Sequence, residues 1–506
     1  MLAKVTSGAT IGLDSVPIEV EVDVASQSLP AFNIVGLPDK AVEESKERVR
    51  AALKNVGAEF PTKRITVNLA PADLPKEGPA YDLPIAIGIL IASGQLSTEI
   101  TDALFLGELS LDGNLRFTSG VLPLTILAKR ENYKRLFLPM VNAKEAAIVE
   151  GINVIPAENV IDLFHHLSGN KRLPAHPKIK VDLDSRGDYE FDMKEIRGQE
   201  MAKRALEIAA AGGHNILLKG PPGAGKTLLA RAFPSILPKL TIEEALEVTK
   251  IYSILGQVDP EDPVVRIRPF RSPHHSASAI GLIGGGAHPK PGEISLANRG
   301  VLFLDEFPEF PRHVLESLRG PIEDGVVTVS RAAGSLSFPA KFTLIAAANP
   351  CPCGFFGDTT KECTCLPGQI ARYQKRLSGP ILDRIDLHVD VPAVKVEKLT
   401  SDSEAESSES IRTRVQKARQ AQLDRFERLP FTSNSEISPK EIKLFCKLDP
   451  DSLNLLRAAV SKMQLSARSY HRVLKVARTI ADLESSADIG VQHIAEALQF
   501  RSRVES

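Results

Sequence analysis

The segment NILLKGPPGAGKTLLARA, residues 215–232, restricts the fold of this chain more than any other stretch. A short apolar run leads into the pattern GxxxxGKT, and a stretch of helical character follows it. Glycines in such a loop let backbone N–H groups wrap around phosphate oxygens, and the next helix presents its N-terminus to them. The segment therefore predicts a strand, a phosphate-binding loop and a helix within an α/β domain that has a parallel sheet.

The ligand that this loop predicts is ATP with Mg²⁺. Lys226 is expected to contact the β- and γ-phosphates, and the hydroxyl of Thr227 is expected to ligate Mg²⁺. The other residues expected to bind the nucleotide form the loop itself, namely Gly220, Pro221, Pro222, Gly223, Ala224 and Gly225.

Two later apolar runs end in polar residues that suit hydrolysis of ATP. In GVLFLDEFPEF, residues 300–310, the apolar run is followed by two carboxylates, of which Asp305 is expected to reach Mg²⁺ through water and Glu306 to polarise the attacking water. An ordinary strand with an acidic end is the alternative. FTLIAAANP, residues 342–350, predicts a second buried strand whose Asn349 lies beside the γ-phosphate and orients the water.

Four of the five cysteines lie within fifteen residues, with the spacing C-x-C-x9-C-x-C. Four thiolates in a short loop are a typical set of ligands for tetrahedral Zn²⁺, and four protein ligands leave no open position for water. The pattern predicts a structural zinc site, and reduced, unligated thiols are the alternative. The expected ligands are Cys351, Cys353, Cys363 and Cys365.

Length and composition predict about three domains, at one per ~150 residues. We expect an N-terminal domain over 1–170, a linker over 171–190, an ATPase core over 191–392 and a helical domain over 411–506. The net charge of -1 excludes an overall basic field, so contact with nucleic acid requires a local basic patch. The sequence shows no signal peptide and no membrane span, which predicts a cytoplasmic protein.

The order of phosphate loop, carboxylate strand and asparagine strand resembles that of AAA+ ATPases. This resemblance implies that Arg384, in LSGPILDRIDLHVDV (377–391), inserts into the nucleotide site of the neighbouring subunit. It also implies that Arg468, in the helical lid, contacts the γ-phosphate. A surface ion pair is the alternative role for either arginine.

The N-terminal stretch PKEGPAYDLP, residues 75–84, resembles the loop that carries the nucleophilic serine of Lon-type proteases. Ala80 stands at the serine position, and Pro123 stands where the activating lysine of that family falls. Cleavage by this mechanism needs both groups. We therefore expect a Lon-protease-like α+β domain that is not a peptidase and that serves as a scaffold for ring assembly or for guiding DNA.

The segments RPFRSPHHSASAIGLIGGGAHPKPGEISLANRGVLFLDE (268–306) and LRGPIEDGVVTVSRAAGSLSFPAKF (318–342) are similar to the magnesium-chelatase branch of AAA+ proteins. Nearly the whole chain resembles the ComM/YifB family of bacteria. That resemblance implies a hexameric, ATP-driven DNA motor that performs branch migration in homologous recombination during natural transformation. A protein-remodelling ATPase and a motor subunit of a magnesium chelatase are the alternatives.

The expected contact with DNA is a hairpin within residues 323–342. Two short apolar strands flank the turn SRAAGS there, and Arg331 lies at its tip. An arginine at this position can pair with backbone phosphates and so bind single-stranded or branched DNA of any sequence. The basic segment RIRPFRSPHHS, residues 266–276, is either a second DNA contact or a solvated loop.

Overall fold

A computed structural model of the chain describes residues 1–25, 29–183, 189–286, 289–331, 334–358, 361–376, 379–394 and 405–501. It divides the chain into two compact units. The first comprises Met1–Asp182 together with Ile242–Val265, and the second comprises Leu183–Thr241 together with Arg266–Ser506.

The first unit is built on a mixed seven-stranded sheet. Its strands are β1 (Leu2–Ile11), β2 (Asp14–Val24), β3 (Ala31–Val35), β4 (Arg64–Ala70), β5 (Ala103–Phe105), β8 (Arg135–Pro139) and β9 (Asn153–Ala157). A separate two-stranded hairpin is formed by β6 (Glu108–Leu109) and β7 (Leu115–Arg116). The order in the large sheet is β3-β4-β2-β1-β5-β8-β9, with β1, β2 and β4 paired antiparallel and the other neighbours parallel.

Helices cover this sheet, and one of them is buried almost throughout. They are α1 (Lys40–Asn55), α2 (Asp82–Ala92), α3 (Val121–Arg130), α4 (Ala143–Ala146) and α5 (Val160–Leu167). The backbone of α2 lies so close to the sheet that a Cβ on Gly88 would be 2.5 Å from Cγ2 of Val22. The apolar run of α2 therefore forms the centre of the first core.

A further helix of the first unit, α8 (Ile242–Ile254), comes from within the predicted ATPase core 191–392. The carbonyl of Ser253 accepts a 2.8 Å hydrogen bond from the backbone N–H of Gly120, at the start of α3. The Ser253 hydroxyl donates to Glu145 at 2.5 Å, and burial raises the pKa of that carboxyl group. These contacts attach α8 to the first unit. The predicted ATPase core 191–392 therefore differs from the second unit, which does not contain Ile242–Val265.

The second unit contains a five-stranded sheet in which every neighbouring pair is parallel. Its strands are β10 (Ile216–Lys219), β11 (Phe270–Arg271), β14 (Val301–Leu304), β17 (Thr343–Ala348) and β18 (Leu387–Asp390). Their order is β11-β14-β17-β10-β18. Two hairpins lie outside the sheet, β12 (Gly284–Gly285) with β13 (Lys290–Pro291), and β15 (Val326–Arg331) with β16 (Gly334–Pro339).

Helices of the second unit fall into two groups. Those around the sheet are α6 (Glu200–Gly212), α7 (Lys226–Ala232), α9 (Ala279–Ile283), α10 (Glu293–Leu296), α11 (Arg312–Ser317), α12 (Arg319–Asp324), α13 (Pro367–Gln374) and α14 (Gly379–Leu382). The C-terminal group is α15 (Ser408–Arg425), α16 (Pro439–Phe445), α17 (Pro450–Met463), α18 (Ala467–Leu483) and α19 (Val491–Gln499). The C-terminal group shares one apolar core with α6 and the sheet, so the predicted lid packs as part of this unit.

A buried polar network connects the sheet to the C-terminal helices. Nε2 of His214 lies 2.8 Å from Oγ1 of Thr479, and its Nδ1 lies 3.4 Å from Oδ2 of Asp386. Arg472 approaches the other carboxylate oxygen of Asp386 at 3.1 Å. Burial acts to raise the pKa of Asp386, but the His214 hydrogen bond and the charge of Arg472 outweigh it and hold that pKa well below its usual range.

We expect this region to make the protein less stable below about pH 6.5. Burial and the charge of Arg501 lower the pKa of His388 to about 4, whereas the unfolded chain binds that proton near ~6.5. The stability that neutral His388 provides is therefore complete above ~6.5 and is lost as the pH falls toward 4. Because the ring is half-buried, we expect a loss on the order of 1 kcal/mol between pH 7.5 and 5.

Urea unfolding at the two pH values measures this loss. His388→Gln cannot titrate, so its free energy of unfolding should change less between the same two pH values. An equal change in the two proteins would contradict the assignment to His388. Asp386 should contribute only at lower pH, because its stabilisation is lost as the pH falls below the unfolded value of ~3.9.

Candidate functional site

Three adjacent strands bring the predicted ATPase residues to one edge of the parallel sheet. The phosphate loop follows β10, Asp305 and Glu306 follow β14, and Asn349 follows β17. In an open parallel sheet, ligands bind at the carboxyl ends of the strands, which is the edge where these residues lie.

The phosphate loop has the backbone conformation that its glycines predict. Gly223 and Gly225 have φ values of 77° and 88°, in the left-handed region that favours glycine. Nζ of Lys226 donates to the carbonyls of Gly220 and Pro221 at 2.7 and 2.9 Å, and to Oδ1 of Asn349 at 3.1 Å. Burial lowers the pKa of this lysine. The amine thus lies between the loop and the end of β17. A bound γ-phosphate would replace the two carbonyl groups as its hydrogen-bond partner.

The two predicted magnesium ligands contact each other. Oγ1 of Thr227 donates to Oδ2 of Asp305 at 2.9 Å. The other oxygen of Asp305 accepts from the backbone N–H of Glu306, also at 2.9 Å. Hydroxyl and carboxylate oxygens suit Mg²⁺, which is held by few protein ligands alongside phosphates and water. These residues fit the metal that accompanies ATP.

Glu306 has a left-handed backbone, with φ of 50°. Such a conformation is uncommon for a residue with a side chain, and it is often found at functional sites. The carboxyl group is 57% exposed, and its Oε2 lies 3.2 Å from Nδ1 of His275. His275 belongs to the histidine pair of the basic segment 266–276, and its position in the sequence gives no sign of this contact with Glu306.

The sulfur atoms of the four clustered cysteines all lie within 4.8 Å of one another. Sγ of Cys351 is 3.3 Å from that of Cys353 and 3.7 Å from that of Cys363, and Cys353 and Cys363 are 3.6 Å apart. A tetrahedral zinc with Zn–S bonds of ~2.3 Å needs sulfur separations of ~3.8 Å. A backbone hydrogen bond from Phe355 contributes most to lowering the pKa of Cys353 to about 5. The backbone N–H of Cys365 acts to lower the pKa of Cys363, but burial and the hydrogen bond with Cys353 outweigh it and raise that pKa to about 12. These opposite shifts favour one thiolate within the cluster before a metal binds. The cluster, completed by Cys365, fits Zn²⁺.

The cysteine loop lies directly against the phosphate loop. Gly354 has φ of 88°, and a Cβ at this position would be 2.4 Å from Cδ of Pro222. Cys351, the buried member of the cluster, follows Asn349 by two residues. Burial raises the pKa of the Tyr373 phenol in α13 to about 12, and the nearby backbone N–H of Asn349 acts to lower it. The cysteine loop and α13 therefore support the Asn349 end of β17.

Three family models match the chain. "Magnesium chelatase, subunit ChlI" matches residues 192–399, "Subunit ChlI of Mg-chelatase" matches 20–142, and "Magnesium chelatase, subunit ChlI C-terminal" matches 405–501. "Competence protein ComM" of Haemophilus influenzae is 46% identical over 99% of this chain and 98% of its own length. The chain belongs to the ComM/YifB family. The protein YifB of Escherichia coli is 44% identical over 99% of this chain and 97% of its own.

Besides these ComM/YifB relatives, a magnesium-chelatase subunit is also similar to the chain, as the sequence predicts. The "Magnesium-chelatase 38 kDa subunit" of Rhodobacter capsulatus is 26% identical over 60% of this chain and 84% of its own. The mixed α/β architecture with a parallel sheet and a helical C-terminal region, predicted from the sequence, is confirmed. Among the described residues, no helix is long and apolar enough to cross a membrane.

The two arginines assigned by resemblance differ in their surroundings. The side chain of Arg384 is only 6% exposed, and its guanidinium group contacts Glu323 at 2.7 Å and the Pro380 carbonyl at 2.6 Å. Arg468 is exposed at the start of α18. Arg331 ends β15, paired with Gly334 across the hairpin, and its side chain lies outside the described part of the chain. Their roles in this ComM/YifB family member stay predictions.

The basic segment 266–276 makes contacts within the protein. Arg268 donates to the carbonyls of Pro238 and Arg299 at 2.5 and 2.7 Å, and Arg271 forms a bidentate ion pair with Glu293 at 2.6 and 2.8 Å. These partners give the two arginines structural roles and favour the loop interpretation over a second DNA contact.

The loop 75–84 of the first unit, which resembles the serine loop of Lon-type proteases in sequence, is held by a buried ion pair. Asp82, which is fully buried, accepts from Nε and Nη2 of Arg48 at 2.6 and 3.0 Å, and from the backbone N–H of Leu109 at 3.1 Å. The carbonyl of Ala80 accepts from Gly107 at 3.0 Å. The residues around this loop therefore serve packing between α1, α2 and the β6–β7 hairpin.

Proposed function

We propose that this ComM/YifB family member is an ATP-driven, ring-shaped DNA motor that performs strand separation or branch migration in homologous recombination during natural transformation. The observation that carries the proposal is the hydrogen bond between Thr227 and Asp305, with Glu306 next to it, beside the phosphate loop. The relative named "Competence protein ComM" supports the connection to natural transformation.

The residues divide the work of ATP hydrolysis among them. Loop N–H groups and Lys226 would bind the phosphates. Thr227, and Asp305 through water, would hold Mg²⁺, which supplies positive charge to the phosphate oxygens when bound. Asn349 orients the attacking water toward the γ-phosphate, and the Glu306 carboxylate accepts a proton from that water. The Lys226–Asn349 contact supports this arrangement, because the asparagine lies 3.1 Å from the amine that is proposed to bind the terminal phosphates.

The hairpin of β15 and β16 is the proposed DNA contact. Its base is anchored by the buried Val327 and Phe338, whereas Ser330 and Ser335, near its tip, are exposed and hydrogen-bond to each other at 3.1 Å. Arg331, next to the turn, would add positive charge there. A ring of six subunits would present six such hairpins. Together they would let a protein of nearly neutral net charge bind DNA phosphates independently of the base sequence.

Arg384 is proposed to complete the nucleotide site of a neighbouring subunit, which requires it to leave Glu323. Arg384→Ala should then bind ATP but hydrolyse it slowly, on the order of 10³-fold below wild type. Mixing it with Lys226→Ala should restore some activity, because one interface in the mixed ring combines an intact phosphate loop with an intact arginine. Phosphate release by each variant and by the mixture measures this.

Glu323→Gln is the matched control for this experiment, because it removes the ion pair within the chain and keeps the arginine. Its turnover should stay near or above the wild-type rate. If mixing restores nothing and Glu323→Gln is as slow as Arg384→Ala, the arginine acts inside its own chain through the Glu323 contact.

The proposed function is tested by measuring which macromolecule or ligand stimulates ATP hydrolysis. Single-stranded DNA, a porphyrin and an unfolded protein are compared at saturating ATP, with Glu306→Gln as the background. We expect stimulation by DNA alone. Stimulation by the porphyrin would instead support a chelatase-type motor subunit, and stimulation by the unfolded protein would support a protein-remodelling ATPase.

A further inference from the structure

His275 is in contact with the carboxyl group that is expected to act as the general base. Its Nδ1 lies 3.2 Å from Oε2 of Glu306. The histidine belongs to the segment after β11, which is at the far edge of the sheet, beyond β14. A segment that is remote from the phosphate loop in sequence therefore contacts Glu306, the carboxylate that is expected to activate the attacking water.

The ring of His275 is itself held on two sides. It packs against the ring of His274, with 4.0 Å between centroids, and meets the ring of Phe310 edge-on at 6.4 Å. His274 is in turn fixed by the hydroxyl of Ser276, 2.8 Å from its Nδ1. The His275 ring is therefore packed between two neighbouring rings, whereas Glu306 has a flexible side chain that is more than half exposed.

A flexible carboxylate in water adopts many rotamers, and few of them direct an oxygen toward a bound water molecule. Holding a catalytic group in one orientation removes that entropic cost from the reaction step. A surface ion pair of no consequence is the alternative, since exposed pairs contribute little to stability. Two features argue against it here, namely the packing of the donor ring on both sides and the left-handed backbone of Glu306.

We propose that His275 is a positioning residue for Glu306, which fixes the carboxylate so that its free oxygen faces the attacking water. This inference rests on the proposed ATP hydrolysis. It predicts that loss of the Nδ1 donor lowers turnover and leaves nucleotide binding intact, because His275 has no part in holding the phosphates.

The test compares His275→Ala, His275→Asn and His275→Gln in the full-length protein. An asparagine amide reaches the position of Nδ1, whereas a glutamine amide reaches that of Nε2. We expect kcat to fall about tenfold in His275→Ala and His275→Gln and to recover largely in His275→Asn. The dissociation constant for a fluorescent ATP analogue should stay unchanged in all three, which also shows that the site is folded.

A double variant establishes whether His275 acts through Glu306. In a Glu306→Gln background, His275→Ala should cause no further loss of kcat, since the group that it positions is already gone. The inference would be overturned if the kcat losses of the two substitutions multiplied in the double variant. It would also be overturned by wild-type turnover in His275→Ala, or by equal losses of kcat in His275→Asn and His275→Gln. If Glu306→Gln is slow and His275→Ala is not, only this inference fails. Wild-type turnover in Glu306→Gln would overturn the proposed hydrolysis together with it.

Discussion

Lys226→Ala is expected to abolish nucleotide binding, whereas Glu306→Gln is expected to bind ATP as tightly as wild type and hydrolyse it at least ~100-fold more slowly. The first substitution removes the amine that lies between the phosphate loop and Asn349. The second keeps the size and hydrogen-bonding capacity of the side chain but removes its ability to accept a proton. Titration with a fluorescent ATP analogue and a phosphate-release assay measure the two effects.

Glu309→Gln is a matched control for the second substitution. It makes the same acid-to-amide change three residues away, where the side chain forms a 2.6 Å ion pair with Arg376. Its turnover should remain near that of wild type. If Glu306→Gln retained wild-type turnover, the catalytic carboxylate would be another residue, and if Lys226→Ala bound ATP normally, the phosphate loop would be misassigned.

Metal analysis of the purified protein is expected to find about one zinc per chain, held by the four clustered cysteines. The site is expected to be structural, and its loop contacts the phosphate loop through Gly354 and Pro222. Cys351→Ser should therefore lose the metal and also weaken nucleotide binding, by roughly tenfold, because the supporting loop no longer holds its position. Elemental analysis and nucleotide titration on the same preparation give both results.

Cys446→Ala is the matched control for the metal experiment. Cys446 is the one cysteine outside the cluster, and burial among the C-terminal helices raises the pKa of its thiol to about 11. This variant should keep both the zinc and the nucleotide affinity. Metal-free protein of normal stability and normal nucleotide affinity would contradict a structural zinc at this position.

The local chemistry of the site follows from the sequence because it depends on short segments. The glycine pattern determines the loop that holds Lys226, and apolar runs that end in Asp305 and Asn349 predict parallel strands whose carboxyl ends share one edge. Four cysteines within one loop are necessarily near one another. In each case the residues that matter are close in sequence or are brought together by a regular sheet.

Contacts between remote segments could not be predicted in this way. The apolar spacing of α8 indicates a helix with a buried face, but it does not identify the core that covers this face, and the Ser253–Glu145 contact joins residues 108 apart. Likewise, a histidine pair in a basic loop gives no sign that His275 would meet Glu306, since the loop has no regular structure that fixes its direction. The predicted boundary of the ATPase core differed from the observed one for the same reason.

Strand displacement on a branched four-strand DNA substrate tests the central claim most directly. Wild-type protein with ATP should displace strands, and Glu306→Gln should not. Arg331→Ala, compared at a matched rate of ATP hydrolysis, should displace fewer strands and bind all sequences more weakly, with a salt dependence reduced by up to ~0.9 per lost phosphate contact. Equal displacement by wild type and Arg331→Ala would remove the hairpin from the mechanism. Active ATP hydrolysis by the wild type without displacement on any branched or forked substrate would contradict a DNA motor.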